Sequence, residues 1–222
     1  MYSDNLRMKG AFRNILIVCY TIVIIASCKK GPITYEFEGN ITDASTGTVI
    51  PGVEFELDQK ILQNGAVTAG FVFAGETETN ALGNYALSIE RKKVTSFLMT
   101  YKKENYFTIE FEETSANVTT DGINTYDQEM EPKSWVQFDI ENFGPLDSDH
   151  LRILTQDFRE GCIGCAENKT YNYYGPLDTT ITYLTTAGTF LKFTFINVVT
   201  GYSVIDSMYA TPFDTSTYIF NY

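Results

Sequence analysis

Apolar residues recur two apart along most of this chain, with polar residues between them. Tyr35, Phe37 and Ile41 alternate with Glu36, Glu38 and Asn40, and Val53, Phe55 and Leu57 with Glu54, Glu56 and Asp58. The same period returns at Tyr85, Leu87 and Ile89, at Phe97, Met99 and Tyr101, and at Phe107, Ile109 and Phe111. A period of two sets one face of an extended strand on a core and the other in water. Turn residues separate the runs at Thr46-Gly47, Pro51-Gly52, Leu82-Gly83-Asn84 and Asp121-Gly122, which predicts antiparallel strands solvated on one face. Past Pro132 the alternation resumes in Val136, Phe138 and Ile140 and in Leu191, Phe193 and Phe195, with further strands expected over 180–186, 202–209 and 217–222. One stretch departs from the pattern: Gln63 to Gly75 carries no charge and places Gly65, Gly70 and Gly75 five apart. It reads either as a buried or edge strand with bulges over Val67 to Phe73, or as an exposed apolar loop that meets a partner.

The start of the chain obeys a different rule. Arg7, Lys9 and Arg13 precede the uncharged run Ile15 to Ile25, and Ala26, Ser27 and Cys28 follow. A basic start, a short apolar run and small residues form a secretory signal; the run falls short of the roughly 20 apolar residues a membrane-spanning helix needs. Ile25-Ala26-Ser27-Cys28 resembles the lipobox of bacterial lipoproteins, which implies cleavage before Cys28 and a diacylglycerol on its thiol. Several acyl chains would hold the protein firmly, at about 0.8 kcal/mol per buried CH₂. An ordinary secretory signal with a chance cysteine, or an uncleaved anchor, is the alternative. The expected organisation is a lipoprotein signal peptide over 1–27 and a lipid-anchored tether over 28–34. The body would then stand at the outer membrane, facing the periplasm or the cell surface.

Charge sharpens this picture. The chain of 222 residues has a net charge of −12; removing Arg7, Lys9, Arg13 and Asp4 with the signal leaves a body at −14. Such an acidic body lacks the cations that would release counterions from phosphates, which argues against a nucleic-acid partner. Lys29 and Lys30, next to the anchor, would favour an anionic lipid surface.

A second resemblance lies in the body. Gly39-Asn40-Ile41-Thr42-Asp43, Thr46-Gly47, Ile50-Pro51-Gly52-Val53-Glu54-Phe55-Glu56-Leu57, Thr79 and Gly83-Asn84-Tyr85-Ala86-Leu87 resemble the carboxypeptidase regulatory-like family. That family implies a transthyretin-like sandwich of seven strands and carries no catalytic residues. The stretch from Asp58 to Glu78 is longer than the family's usual connection. Gly52 supplies a positive-φ option and Tyr85 a ring able to pack across a sandwich. The predicted fold class is therefore all-β: two antiparallel β-sandwich domains, transthyretin-like over 35–131 and immunoglobulin-like over 133–222, divided at Pro132-Lys133. The second resembles the immunoglobulin-like domains of Bacteroidota lipoproteins only in general terms.

Candidate chemistry is sparse. With Cys19 removed and Cys28 acylated, Cys162 and Cys165 remain, expected as a local disulfide closing a tight loop or as a reduced pair without a role. A zinc site would need further ligands, and His150 is the single histidine, read as lying in a loop beside Asp149 and Ser148 without forming a triad. Asp147 and Asp149 could share a cation, but no calcium-loop spacing is present. No metal and no cofactor are expected. Trp135, Tyr171, Tyr173, Tyr174 and Tyr183 could stack on sugar rings or pack within sheets, and the stretch from Cys162 to Tyr174 is the candidate binding loop, pre-ordered by its disulfide. Together these readings give a non-catalytic lipoprotein, an accessory subunit of a nutrient-uptake or envelope complex that binds an outer-membrane protein partner through sheet edges and loops. The alternative is a carbohydrate-binding module that holds polysaccharide on surface aromatics. An enzyme is disfavoured because no nucleophile–base pair or paired carboxylates can be assembled.

Overall fold

The computed structural model describes residues 32–63 and 65–222. The predicted signal peptide, Cys28 with its expected acylation, Lys29 and Lys30 lie outside the described residues.

The first half contains strands β1 (Thr34–Asp43), β2 (Glu54–Gln63), β3 (Ala66–Val67), β4 (Val72–Glu78), β5 (Asn84–Glu90), β6 (Val94–Lys102), β7 (Ile109–Thr114), β8 (Ile123–Thr125) and β9 (Gln128–Met130). One sheet runs β5-β1-β8, with β9 also paired to β1, and the other runs β3-β2-β6-β7, with β4 also on β2. Alternation decides what each strand buries: β1 turns Tyr35, Phe37 and Ile41 inward, and β2 turns Phe55, Leu57 and Ile61. Across the two layers Phe55 meets Tyr85 at 4.5 Å between ring centroids, and Tyr35 meets Phe97 at 5.2 Å. The anticipated packing of Tyr85 is therefore present.

The second half contains β10 (Lys133–Glu141), β11 (His150–Gln156), β12 (Thr170–Tyr174), β13 (Thr179–Thr186), β14 (Phe190–Asn197), β15 (Ser203–Tyr209) and β16 (Thr215–Asn221). Its sheets run β13-β10-β16 and β12-β11-β14-β15. Phe138 of β10 faces Phe193 and Phe195 of β14 at 5.0 and 5.2 Å, and Phe195 stacks on Phe220 of β16 at 4.3 Å. Each half thus encloses its own apolar cluster between two sheets. The chain is all-β and layered sheet on sheet, as the alternation predicts.

Three ladders run parallel: β1 with β8, β1 with β9, and β10 with β16. Hydrophobic period selects a face and not a direction, so this difference from the antiparallel reading lay outside what the period carries. The uncharged stretch also resolves into particulars. β4 pairs along β2 with Leu57 opposite Gly75 and Asp58 opposite Phe73, which leaves Ala74 as an extra, bulged residue. In place of one strand over Val67 to Phe73, the stretch holds the two-residue β3 and the start of β4, both on the β2 edge of the sheet, with residues 68–71 between them in no strand and Val67, Val72 and Phe73 exposed rather than buried.

The residues of the second resemblance have visible structural duties. Asp43 Oδ1 accepts hydrogen bonds from the backbone N–H groups of Ser45 and Thr46 at 2.8 and 3.0 Å, and Tyr106 Oη donates to its Oδ2 at 2.9 Å. Burial opposes the Asp43 charge, yet the Ser45 hydroxyl, which also donates to Oδ1, and these donors outweigh it and hold the carboxyl below its ordinary value. Thr79 Oγ1 donates to the Ile50 carbonyl and accepts from Val53 N–H, closing the Pro51-Gly52 turn, where Gly52 has φ 65°. Gly39, inside β1, is required by proximity: a Cβ there would overlap the Tyr126 carbonyl and lie 2.7 Å from the Tyr85 ring.

The halves join through only Glu131 and Pro132, and the join is pinned on both sides. Phe107 N–H donates to Glu131 O at 2.9 Å, Lys133 N–H to Asn105 O at 2.8 Å, and Ala187 N–H to Pro132 O at 2.9 Å. The Arg159 guanidinium lies 3.7 Å from the Phe107 ring centroid, ion-paired to Glu131 and donating to Thr186 Oγ1 at 3.0 Å. Phe107 was expected within a strand. It precedes β7 and is buried beneath Arg159 instead.

Candidate functional site

The aromatic residues singled out from the sequence fall on three different surfaces of the second half. On β10, Val136, Phe138 and Ile140 point inward, so Trp135, Gln137 and Asp139 occupy the outer face. Register extends that face sideways. Trp135 lies between Leu184 of β13 and Thr215 of β16, Gln137 between Thr182 and Thr217, and Asp139 between Thr180 and Ile219. Asp139 Oδ1 accepts from Gln137 Nε2 and from Thr180 Oγ1, each at 2.9 Å. The result is a half-buried indole beside a row of amide, carboxylate and hydroxyl groups, on a sheet face whose threonines at 180, 182, 215 and 217 are exposed.

The cysteine loop belongs to this surface. Cys162 and Cys165 are joined in a disulfide with 5.3 Å between their Cα atoms. Leu184 N–H donates to Gly164 O at 2.7 Å, and Cys165 bridges to Leu184. Because Leu184 is also the cross-strand neighbour of Trp135, the loop and the indole flank the same residue. Ile163, at the tip of the loop, is fully exposed. Gly161 and Gly164 take φ of 78° and 84°, the left-handed conformations that let so short a ring close.

Tyr171 and Tyr173 do not share that surface. The stretch read as a binding loop ends in strand β12, paired antiparallel with β11, and its alternation sends Tyr171 and Tyr173 toward the second core. Tyr171 packs 5.8 Å from Tyr183, and Tyr173 hydrogen-bonds Tyr183, whose phenol is pushed up by burial and then by that partner. Their stacking faces are engaged within the protein.

Tyr174 points the other way and is 76% exposed. Its ring stacks on His150 at 4.3 Å, and Asn172 Oδ1 accepts from Arg152 Nε at 3.2 Å while lying 3.0 Å from His150 Nε2. His150, expected in a loop, begins β11 directly opposite Tyr174. The signal that could have found this strand is the alternation of His150, Arg152 and Leu154 with Leu151, Ile153 and Thr155, masked by two adjacent aliphatics at Ile153 and Leu154. Asp149 is committed to its turn, with Oδ2 accepting from Leu146 N–H at 2.7 Å and Asn142 Nδ2 at 2.8 Å. These donors hold its carboxyl below the ordinary aspartate value, the backbone group most. The suggested sharing of a cation with Asp147 has no support in this arrangement, and no group of three or more metal-ligating side chains occurs among the described residues.

No protein-family model matches the chain, and no curated protein matches it. Among solved structures the likenesses are loose. A streptococcal ancillary pilin is 13% identical with a TM-score of 0.37, over 85% of this chain and 62% of that one. The shaft pilin SpaA of Lactobacillus rhamnosus GG is 12% identical with a TM-score of 0.34, over 86% of this chain and 98% of that one. A 3-chlorocatechol 1,2-dioxygenase from Rhodococcus opacus 1CP is 12% identical with a TM-score of 0.34, over 46% of this chain and 60% of that one. The match to the Bacillus anthracis TIE protein spans 34% of that protein.

Proposed function

We propose that the chain is a lipid-anchored binding body of a bacterial cell envelope, acting as an accessory subunit whose partner seats on the outer face of β10. The observation that carries this reading is the position of Trp135: on an open sheet face, one strand from a disulfide-closed loop with an exposed isoleucine at its tip. A rigid aromatic beside a pre-ordered loop is the usual composition of a binding centre. Lipid anchorage is supported by the basic start, the apolar run and Ile25-Ala26-Ser27-Cys28. Binding rather than catalysis is favoured because His150 and Asp149 are engaged in stacking and in a turn.

A polysaccharide partner is the second reading, favoured by the threonine hydroxyls and the Gln137 and Asp139 groups beside the indole. One pair of measurements separates the two. Trp135→Ala in the full acylated chain is expected to abolish co-purification of an outer-membrane protein while leaving mobility in polysaccharide gels unchanged. Loss of retardation in those gels would establish the glycan reading in its place, and unchanged behaviour in both assays would remove this face from consideration.

A further inference from the structure

The end of the first half where the chain enters the body is unlike the rest of this acidic molecule. Arg91, Lys92 and Lys93 form the turn between β5 and β6, all three exposed, and among the described residues none of them forms an ion pair. With Glu90 the turn carries a net charge of +2, in a body whose overall balance is strongly negative. Beside it lies the β2–β3 hairpin: Leu62 N–H donates to Lys93 O at 2.7 Å, and Leu62 pairs with Val67. Those two aliphatic side chains are 39% and 47% exposed, in a stretch from Ile61 to Gly75 that holds no charge of either sign. Tyr35, near the start of β1, lines the same open cleft as Leu62, Arg91, Lys93 and Val118. Cations, exposed aliphatics and the entry of the chain therefore share one end.

We infer that this end is a membrane-docking surface, on which Arg91, Lys92 and Lys93 meet anionic lipid headgroups while the Leu62–Val67 hairpin tip enters the interfacial layer. The inference rests on acylation of Cys28. Cys28 is seven residues before Tyr35, so a fully extended tether reaches about 25 Å at most, and the acylated thiol cannot stray far from the basic turn. Cations beside apolar side chains suit an anionic interface, because the charges draw the surface close and the aliphatics leave water there. The acidic remainder of the body is repelled by the same surface. Docking by this end would hold the body in one orientation on its anchor.

The test uses the full chain, acylated in a bacterial host and reconstituted into vesicles. Val67→Cys carries an environment-sensitive nitrobenzoxadiazole label, and Ile205→Cys, on β15 of the second half, is the reference position. In phosphatidylglycerol-containing vesicles the label at 67 is expected to shift to the blue relative to phosphatidylcholine vesicles, while the label at 205 does not. Replacing Arg91, Lys92 and Lys93 with glutamate is expected to remove the shift without releasing the protein, and so is raising salt to about 1 M, where screening acts within roughly 3 Å. A protein retained on vesicles with a label at 67 that is water-like in both lipids overturns the docking surface and leaves the anchor standing. A protein not retained, with Cys28 unmodified by mass spectrometry, overturns the anchor and the docking surface with it.

Discussion

In the middle of the first core Tyr85 and Tyr101 meet hydroxyl to hydroxyl at 3.0 Å, and Tyr85 Oη also donates to the Tyr126 carbonyl at 2.9 Å. At the corresponding depth of the second core sits Phe138, ringed by Phe193, Phe195 and Phe158 and carrying no polar atom to satisfy. Both cores come from the same alternation, but they answer to different constraints. The tyrosine pair ties β5 to β6 and to the link between β8 and β9, through bonds that only one arrangement of strands completes. The phenylalanine cluster asks only that its volume be filled. The tyrosine pair of the first core should therefore be sensitive to chemistry and the phenylalanine cluster of the second to size, with the Tyr173–Tyr183 hydrogen bond the polar tie beside that cluster.

Removing volume is the stronger of these two tests. Phe138→Ala is expected to cost about 3–5 kcal/mol, the range for a buried phenylalanine truncated in a close-packed core. Phe138→Leu should recover most of that in a denaturant titration. Equal losses for the alanine and leucine variants would show that the second core is as particular as the first, and the contrast would collapse.

The contrast also marks what could be read from the chain beforehand. Val136, Phe138, Ile140, Leu191, Phe193 and Phe195 announce buried faces directly, because burial follows period. The parallel docking of β16 on β10 was hidden, since Thr215 to Asn221 present the same alternation in either direction. His150 escaped because a short strand rich in polar residues at both ends resembles a turn. Trp135 and the cysteine pair were both visible as residue types. Their meeting depends on Leu184, an ordinary aliphatic of β13 whose register no local pattern specifies. Tyr171 and Tyr173 stayed open between core and surface for a related reason: a tyrosine serves either equally well, and only its parity along β12 decides.

Alkali probes the chemistry of the first core. Burial pushes the Tyr85 phenol up to about 12, and Tyr101 is displaced further in the same direction by burial and by Tyr85. A raised value in the folded state means the neutral form is favoured there. The stabilisation is then complete below the ordinary tyrosine value near 10 and is lost as pH rises from about 10 to about 12. For Tyr85 alone the loss is on the order of 2–3 kcal/mol across that window. Phenolate absorbance should rise with the exposed tyrosines first, and a late phase accompanied by unfolding should come from the buried phenols, Tyr85 and Tyr101 in the first core and Tyr183 in the second. Tyr101→Phe should shrink that late phase. A single smooth titration near pH 10 with the fold intact would show that the tyrosine pair is not sealed from water.

The smallest effect belongs to the disulfide, and it sharpens the comparison within the second half. Cys162 and Cys165 are three apart in sequence, and so short a ring removes little entropy from the unfolded chain, giving about 2 kcal/mol as an upper figure. The loop contributes Ile163 and Gly164 to the surface and no side chain to the phenylalanine cluster. Replacing both cysteines with serine should therefore leave the denaturation midpoint close to that of the parent and far above that of Phe138→Ala. The change should instead appear in the emission of Trp135, the single tryptophan, because Leu184 beside it is bonded to the loop through Gly164. A red shift of that emission without loss of stability separates a surface that is ordered by its loop from a core that is held by packing. A loss as large as that of Phe138→Ala, with emission unchanged, would assign the loop to the core and leave the Trp135 face without its ordering element.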